Sequence, residues 1–219
     1  MDPSTLTLRN AKPLHEEGVA FARYLDLTTP FYRVMLGRRM ADTIAMAFLA
    51  AGHQFSFKTT VFAERDGTIV GMISGYATDE QHGLVHTLLR STLGSRATRM
   101  RIMQRLLAQQ QWFLGRHAPG DFYVQGLAVD KRHRRQGIGS ALIGAMEERA
   151  RAAGSARLTL NVAGRNLSAR RLYTRHGLIS VAAWPKIPGI RPAVLRMAKI
   201  LSLPDPRAAG GQINTRPTL

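Results

Sequence analysis

The sequence predicts an α/β fold: a mixed central sheet flanked by helices, in a three-layer α/β/α arrangement. Three observations carry this. From residue 122 onward the order reads strand, helix, strand, helix, strand, strand, and such alternation belongs to helices packed on a sheet. A hairpin precedes it, signalled by Asp66-Gly67 between two β-rich runs. Hydrophobic residues make up 45% of the 219 positions, enough to bury a sizeable core in one domain.

Taken in order, Leu6 and Leu8 alternate with Thr5 and Thr7, giving a short first strand. Residues 13–25 read as a helix with acidic Glu16 and Glu17 in its early turns. Residues 31–51 repeat apolar side chains at helical spacing (Val34, Met35, Ile44, Phe48), with Gly52 as the stop. Strands are expected at 58–63 and 68–76. Residues 79–96 carry no clear period, and 98–117 are amphipathic, with Ile102, Met103, Leu106, Leu107, Phe113 and Leu114 on one broad face. An apolar strand at 122–129 follows, then a helix at 137–153 closed by Gly154. The strand at 157–162 alternates Leu158, Leu160 and Val162 with Thr159 and Asn161. A helix at 166–176, closed by Gly177, leads to extended runs at 178–184 and 193–201. Residues 1–201 therefore form the domain, with 79–121 read as a helical insertion. The polar stretch 202–219, punctuated by Pro204, Pro206, Gly210, Gly211 and Pro217, reads as a flexible tail.

Composition bounds the function. Cysteine is absent, which removes disulfides, thiolate metal sites and a cysteine nucleophile. Residues 40–51, the longest apolar candidate, contain Asp42 and are too short to span a bilayer. The N-terminus lacks the basic-then-apolar order of a secretory signal, so a cytoplasmic enzyme is expected. The net charge of +17, from 31 Lys+Arg against 14 Asp+Glu, attracts polyanions. The cations are mostly arginine spread through every segment, so the charge reads as composition bias rather than a dedicated nucleic-acid surface. His82, His86, His133 and His176 form no ligand set, and no metal is expected.

The most informative segment runs Leu127-Ala128-Val129-Asp130, then a basic turn, then Arg134-Arg135-Gln136-Gly137-Ile138-Gly139-Ser140. A strand enters a turn that enters a helix, whose first N–H groups lack internal partners and whose dipole favours an anion. Gly137 and Gly139 let a pyrophosphate approach the backbone. Ser140 adds a hydroxyl, and Arg132, Arg134 and Arg135 add charge. A Walker loop needs Gly-Lys-Ser/Thr, which does not occur. A dinucleotide fingerprint needs a third glycine where Leu142 stands. What remains is Arg/Gln-x-x-Gly-x-Gly/Ala. Downstream, Asn166, Ala169, Leu172, Tyr173 and Gly177 fall in the pattern Asn-x-x-Ala-x-x-Leu-Tyr-x-x-x-Gly.

Together these two segments resemble the acetyl-CoA-binding motifs of the GCN5-related N-acetyltransferase (GNAT) superfamily. The specific likeness covers 122–178 and extends loosely over 1–201. Leu178 stands where the family usually has Phe, a departure that concerns packing. The resemblance implies a GNAT-like mixed sheet and direct transfer of an acetyl group from acetyl-CoA to a primary amine. Leu127, Ala128 and Val129 would offer backbone groups to the pantetheine arm and thioester oxygen. Residues Arg134, Arg135, Gln136, Gly137, Ile138, Gly139 and Ser140 would hold the pyrophosphate. Asn166 would cap its helix and approach the cofactor, with Asn161 as a further contact. Tyr173 would be the general acid for the leaving thiolate. Gly126 is read as the bulge that opens the strand to the cofactor. Glu64, Asp79 and Asp121 are candidate bases only by their place near strand ends, and each reads first as a solvated surface carboxylate. Gln125 can hold a water but cannot act as a base.

The acceptor is expected to be a small-molecule or peptide amine. A nucleic-acid-directed enzyme acting on a tRNA-linked amine, and a non-catalytic acyl-CoA or nucleic-acid binding module, are the competing readings. No helix pairs a Lys-rich face with exposed aromatics, so membrane association is not expected. A homodimer stays open, as many relatives pair.

Overall fold

The computed structural model of the chain describes residues 5–29, 31–80 and 117–201. The expected helix at 98–117 and tail at 202–219 lie outside the described residues, apart from His117 itself. Seven strands form one sheet in the order β1-β2-β3-β4-β5-β7-β6. They are β1 (Leu6–Asn10), β2 (Thr60–Arg65), β3 (Thr68–Ala77), β4 (Asp121–Val129), β5 (Arg157–Ala163), β6 (Ile179–Trp184) and β7 (Val194–Ile200). Every neighbouring pair is antiparallel except β4 and β5, which run parallel.

Two helical layers cover the sheet. Helices α1 (His15–Thr28), α2 (Phe31–Leu36) and α3 (Met40–Phe48) lie on one face. Phe21, Tyr24, Leu25, Ile44 and Phe48 pack there with Phe55 and with Phe62, Met72 and Ala128 of the sheet. Helices α4 (Ile138–Ala152) and α5 (Leu167–Arg175) lie on the other. Ile138, Leu142, Ile143, Met146 and Tyr173 there meet Val61, Ile73, Phe122, Val124, Leu158 and Leu160. Alternation along each strand sends successive side chains into the two cores, as the pleat requires.

The continuous helix expected over 31–51 is broken. Gly37 takes φ +60, which a right-handed helix cannot contain. The chain turns through a short 3-10 segment, Gly37–Arg39, before α3 begins. The helix also ends at Phe48, ahead of Gly52. The hairpin was legible: Asp66 and Gly67 take φ +51 and +72, both central residues left-handed as a two-residue turn demands. Gly154 and Gly177 likewise take positive φ just past α4 and α5.

Phe62 is fully buried, with its ring 6.5 Å from that of Phe48. Phe62→Ala is expected to lower the unfolding free energy by about 3–5 kcal/mol, read as a lower midpoint in urea at unchanged m-value.

Candidate active site

The site begins where two strands part. β4 pairs with β5 only from Asp121↔Arg157 to Val124↔Leu160, although β4 continues to Val129. On its other side β4 stays paired with β3, but the register slips: Ser74 faces Gly126 while Gly75 faces Val124. The extra residue is Gln125, so the bulge sits one position before the glycine that the sequence suggested. The bulge bends β4 away from β5 and opens a gap. Gly126 serves the opposite side, since a Cβ there would meet Thr28 Oγ1 at 2.9 Å.

Pairing phase fixes which backbone groups face the gap. Asp130 N–H donates to Val70 O at 2.9 Å, so even-numbered positions after the bulge bond to β3. The polar groups of Ala128 are therefore turned to β3, and those of Leu127 and Val129 turn to the gap. The Val129 carbonyl accepts from Arg134 Nε at 3.0 Å, which ties the basic turn to the strand.

The turn enters α4 through Gly137, the N-cap, at φ +81. Arg135 is also left-handed, at φ +62. No N–H of residues 135–140 finds a hydrogen-bond partner among the described residues. A run of unsatisfied donors at a helix N-terminus can serve as an anion cradle. A Cβ on Gly137 would meet nothing within 4 Å, so its surface is open to a ligand. Gly139 does something else. A Cβ there would press Leu172 Cδ2 at 3.1 Å, so its missing side chain lets α5 close on α4. Ile138 is buried in the core and can offer the ligand only its backbone. Gln136 accepts from Arg65 Nη1, Ser140 is half-buried, and the Arg134 and Arg135 side chains are exposed.

Asn166 caps α5, its Oδ1 accepting from Ala169 N–H at 3.2 Å. Tyr173 is 7% exposed, and burial, with the neighbouring Tyr123, pushes its hydroxyl up to about 12. Tyr123 projects from the opposite face of the sheet to its neighbours Phe122 and Val124, which join Tyr173 in one core. Tyr32 of α2 also approaches. Burial and Tyr123 push it up to about 12, and it reaches toward Gln125 without closing a full hydrogen bond to that amide. Asn161, the first residue of β5 past the last pair with β4, donates to the Tyr123 hydroxyl at 3.2 Å.

The three carboxylates weighed as bases are engaged elsewhere. Asp121 is buried against Arg157, with bonds of 2.8 and 2.9 Å. Asp79 accepts from Gly120 N–H. Arg9 holds Glu64 below the usual carboxylate range. His176 lies 3.8 Å from Glu147 at the far end of α5, and His82 and His86 lie outside the described residues. Tyr32, Tyr76, Tyr123, His117 and Arg196 went unread in the sequence. They carry no motif: strand pairing aligns Tyr76, Tyr123 and Arg196 with one another across the sheet, and tertiary packing brings Tyr32 and His117 to Tyr123.

The model of the acetyltransferase (GNAT) family matches residues 21–178. No curated protein matches the sequence. Among solved structures, a crystal structure of an acetyltransferase shares 24% identity, with a TM-score of 0.63 over 90% of this chain and 100% of that one. An N-acetyltransferase from Staphylococcus aureus Mu50 shares 15%, with a TM-score of 0.62 over 88% of this chain and 100% of that one. A GNAT-family acetyltransferase from Streptococcus pneumoniae shares 19%, with a TM-score of 0.53 over 90% and 100%. These likenesses show the fold. With the family model covering most of the chain, and the parted strands and anion cradle at its centre, the protein belongs to the GNAT family of acetyltransferases.

Proposed function

We propose that the chain transfers an acetyl group from acetyl-CoA to a primary amine by direct attack. One observation supports this reading most: β4 leaves β5 after Val124, on the strand that leads into a helix start whose N–H groups at 135–140 have no partner among the described residues. Acetyl-CoA is a long ligand with a pyrophosphate at one end and a thioester at the other. The cradle suits the pyrophosphate. The Leu127 and Val129 edge can pair with the amides of the pantetheine arm, as a missing strand would. A Leu127 N–H aimed at the thioester oxygen would stabilise the negative charge that develops there.

The amine nitrogen attacks the thioester carbon, the carbon–sulfur bond breaks, and the leaving sulfur takes a proton. Tyr173 is positioned to supply it, and burial keeps its hydroxyl protonated through the neutral range. Replacement of that proton comes from solvent. The amine's own proton leaves to water, since Glu64, Asp79 and Asp121 are held in other contacts.

Calorimetric titration with acetyl-CoA tests the cradle. Gly137→Glu places a carboxylate at its mouth and is expected to weaken binding at least about tenfold. Gly137→Asn, which tolerates left-handed backbone, is expected to weaken it far less. Absence of binding to the wild-type protein would overturn the reading.

Tyr173→Phe is expected to lower acceptor-dependent kcat by about 100-fold or more, while acetyl-CoA affinity stays within about twofold. The pH profile gives a second check. The hydroxyl loses its acid role only above its own pKa, raised to about 12. The wild-type rate should therefore climb as the amine deprotonates and show no descending limb below pH ~10. A fall near neutrality would exclude Tyr173 as the acid.

A further inference from the structure

The two ends of the basic turn are held in different ways. At the strand end, Asp130 donates its N–H to Val70 O, and its carboxylate accepts from the Tyr24 hydroxyl at 3.0 Å and meets Arg23 at 3.4 Å. His133 N–H donates to Asp130 O at 2.9 Å, and Arg134 Nε to Val129 O at 3.0 Å. Beyond Arg134 the chain passes two left-handed residues, Arg135 at φ +62 and Gly137 at φ +81. Glycine adopts that conformation freely, whereas a residue with a Cβ keeps it only where its surroundings hold it there. The Arg135 side chain is exposed, so the hold comes from a neighbour.

Gln136 stands between the two. Its amide is engaged at both atoms: Oε1 accepts from Arg65 Nη1 at 2.5 Å, and Nε2 donates to Arg132 O at 3.4 Å. Among the described residues, these are the side-chain hydrogen bonds of 135–137. The bond to Arg132 closes the turn on itself. The bond from Arg65 ties it to another part of the sheet. Arg65 is the last residue of β2, paired with Leu6 of β1 and Thr68 of β3. The hairpin it opens lies at the same end of the sheet as the basic turn, because β3 runs antiparallel to β4 with Gly71 opposite Val129. Arg65 is half-buried and its Nε is shut off from solvent, so the arm has little room to swing. A cation on an ordered hairpin thus makes a charge-assisted bond to the middle of the turn.

We propose that Arg65 is a positioning residue for the donor: through Gln136 it holds 135–137 in the conformation that presents the N–H groups of 135–140 to the pyrophosphate. The Gln136 side chain is the link, and what it offers the ligand is its backbone. This rests on the acetyl-CoA reading above. Arg65 is also a cation beside that site, and a diffuse charge would attract the donor without any link. Salt separates the two effects. Screening removes attraction between solvent-exposed charges, whereas a preorganised backbone keeps its advantage at any ionic strength.

The test titrates acetyl-CoA calorimetrically into the wild-type chain, Arg65→Met, Gln136→Met and the double variant, at about 50 mM and about 500 mM NaCl, with urea unfolding of each protein. Each single variant is expected to weaken binding about fivefold, the worth of one hydrogen bond. The double variant is expected to lose no more than either single one, since both cut the same link. The loss should agree within about twofold at the two salt concentrations, with urea midpoints close to wild type. Unchanged affinity in either single variant, losses that multiply in the double variant, or a loss that vanishes at high salt would overturn the link and leave the acetyl-CoA reading standing. A fall in urea midpoint that accounts for the lost affinity would make Arg65 a residue of the fold alone and overturn the link as well. Absence of acetyl-CoA binding to the wild-type chain would overturn both.

Discussion

The parting of β4 from β5 is the constraint on which the rest of the structure depends. A central strand normally spends its backbone groups on two neighbours. Here β4 has two neighbours for four residues, Asp121 to Val124, and one thereafter. The Gln125 bulge makes the difference. It lets β4 keep its ladder with β3 while turning away from β5, so Leu127 and Val129 present polar groups to an opening instead of a strand. Such an edge inside a sheet is costly unless something pairs with it. Extended ligands with amide groups of their own meet that requirement.

The same opening separates the strands that lead into two distant motifs. The basic turn and α4 leave β4 at the end of the gap, and α5 enters just beyond β5. Gly139 and Leu172 lie against each other between them. The absent side chain at Gly139 sets how closely α5 approaches, and Tyr173 follows Leu172 in the chain. The start of α4 and Tyr173 are thus held at a distance fixed by packing rather than by a flexible loop, as the roles proposed for them require. A methyl at Gly139 would push α5 rather than the pyrophosphate. The structure thus adds a packing role for Gly139 and leaves the surface at Gly137 open.

Local chemistry made the outer parts of this architecture legible in the sequence. Asp66-Gly67 names its turn, Gly154 and Gly177 end their helices, and Asn166 caps the helix it precedes, because each effect is decided within about four residues. The three-layer α/β arrangement followed from alternation alone. Gly37 was missed because the apolar period continues across it, and a period reports which face is buried, not whether the helix is continuous. The bulge was placed at Gly126, the residue that looks permissive, whereas the slip falls on Gln125. Register is a property of strand pairing, and no single residue announces it. The row of side chains across β3, β4, β5 and β7 was invisible for the same reason. Tyr76, Asn161 and Arg196 are 35 or more positions from their partners and meet only through the β3-β4-β5-β7 order.

Charge behaves differently in the two halves of the site. Several acidic side chains are consumed in specific contacts: Glu17 and Glu64 with Arg9, Asp26 with Arg33, Asp121 with Arg157, Glu147 with Lys199, and Asp130 with Tyr24 and Arg23. The cations they leave over include the exposed Lys131, Arg132, Arg134 and Arg135 around the cradle. A net charge of +17 is thus not spread evenly in its effect. Around the start of α4 these charges lie in solvent, where salt screens them. Arg196 acts within the half-buried row, where screening is weak and one charge shifts the ionisation of its neighbours. A composition bias toward arginine can therefore supply a diffuse attraction for the donor.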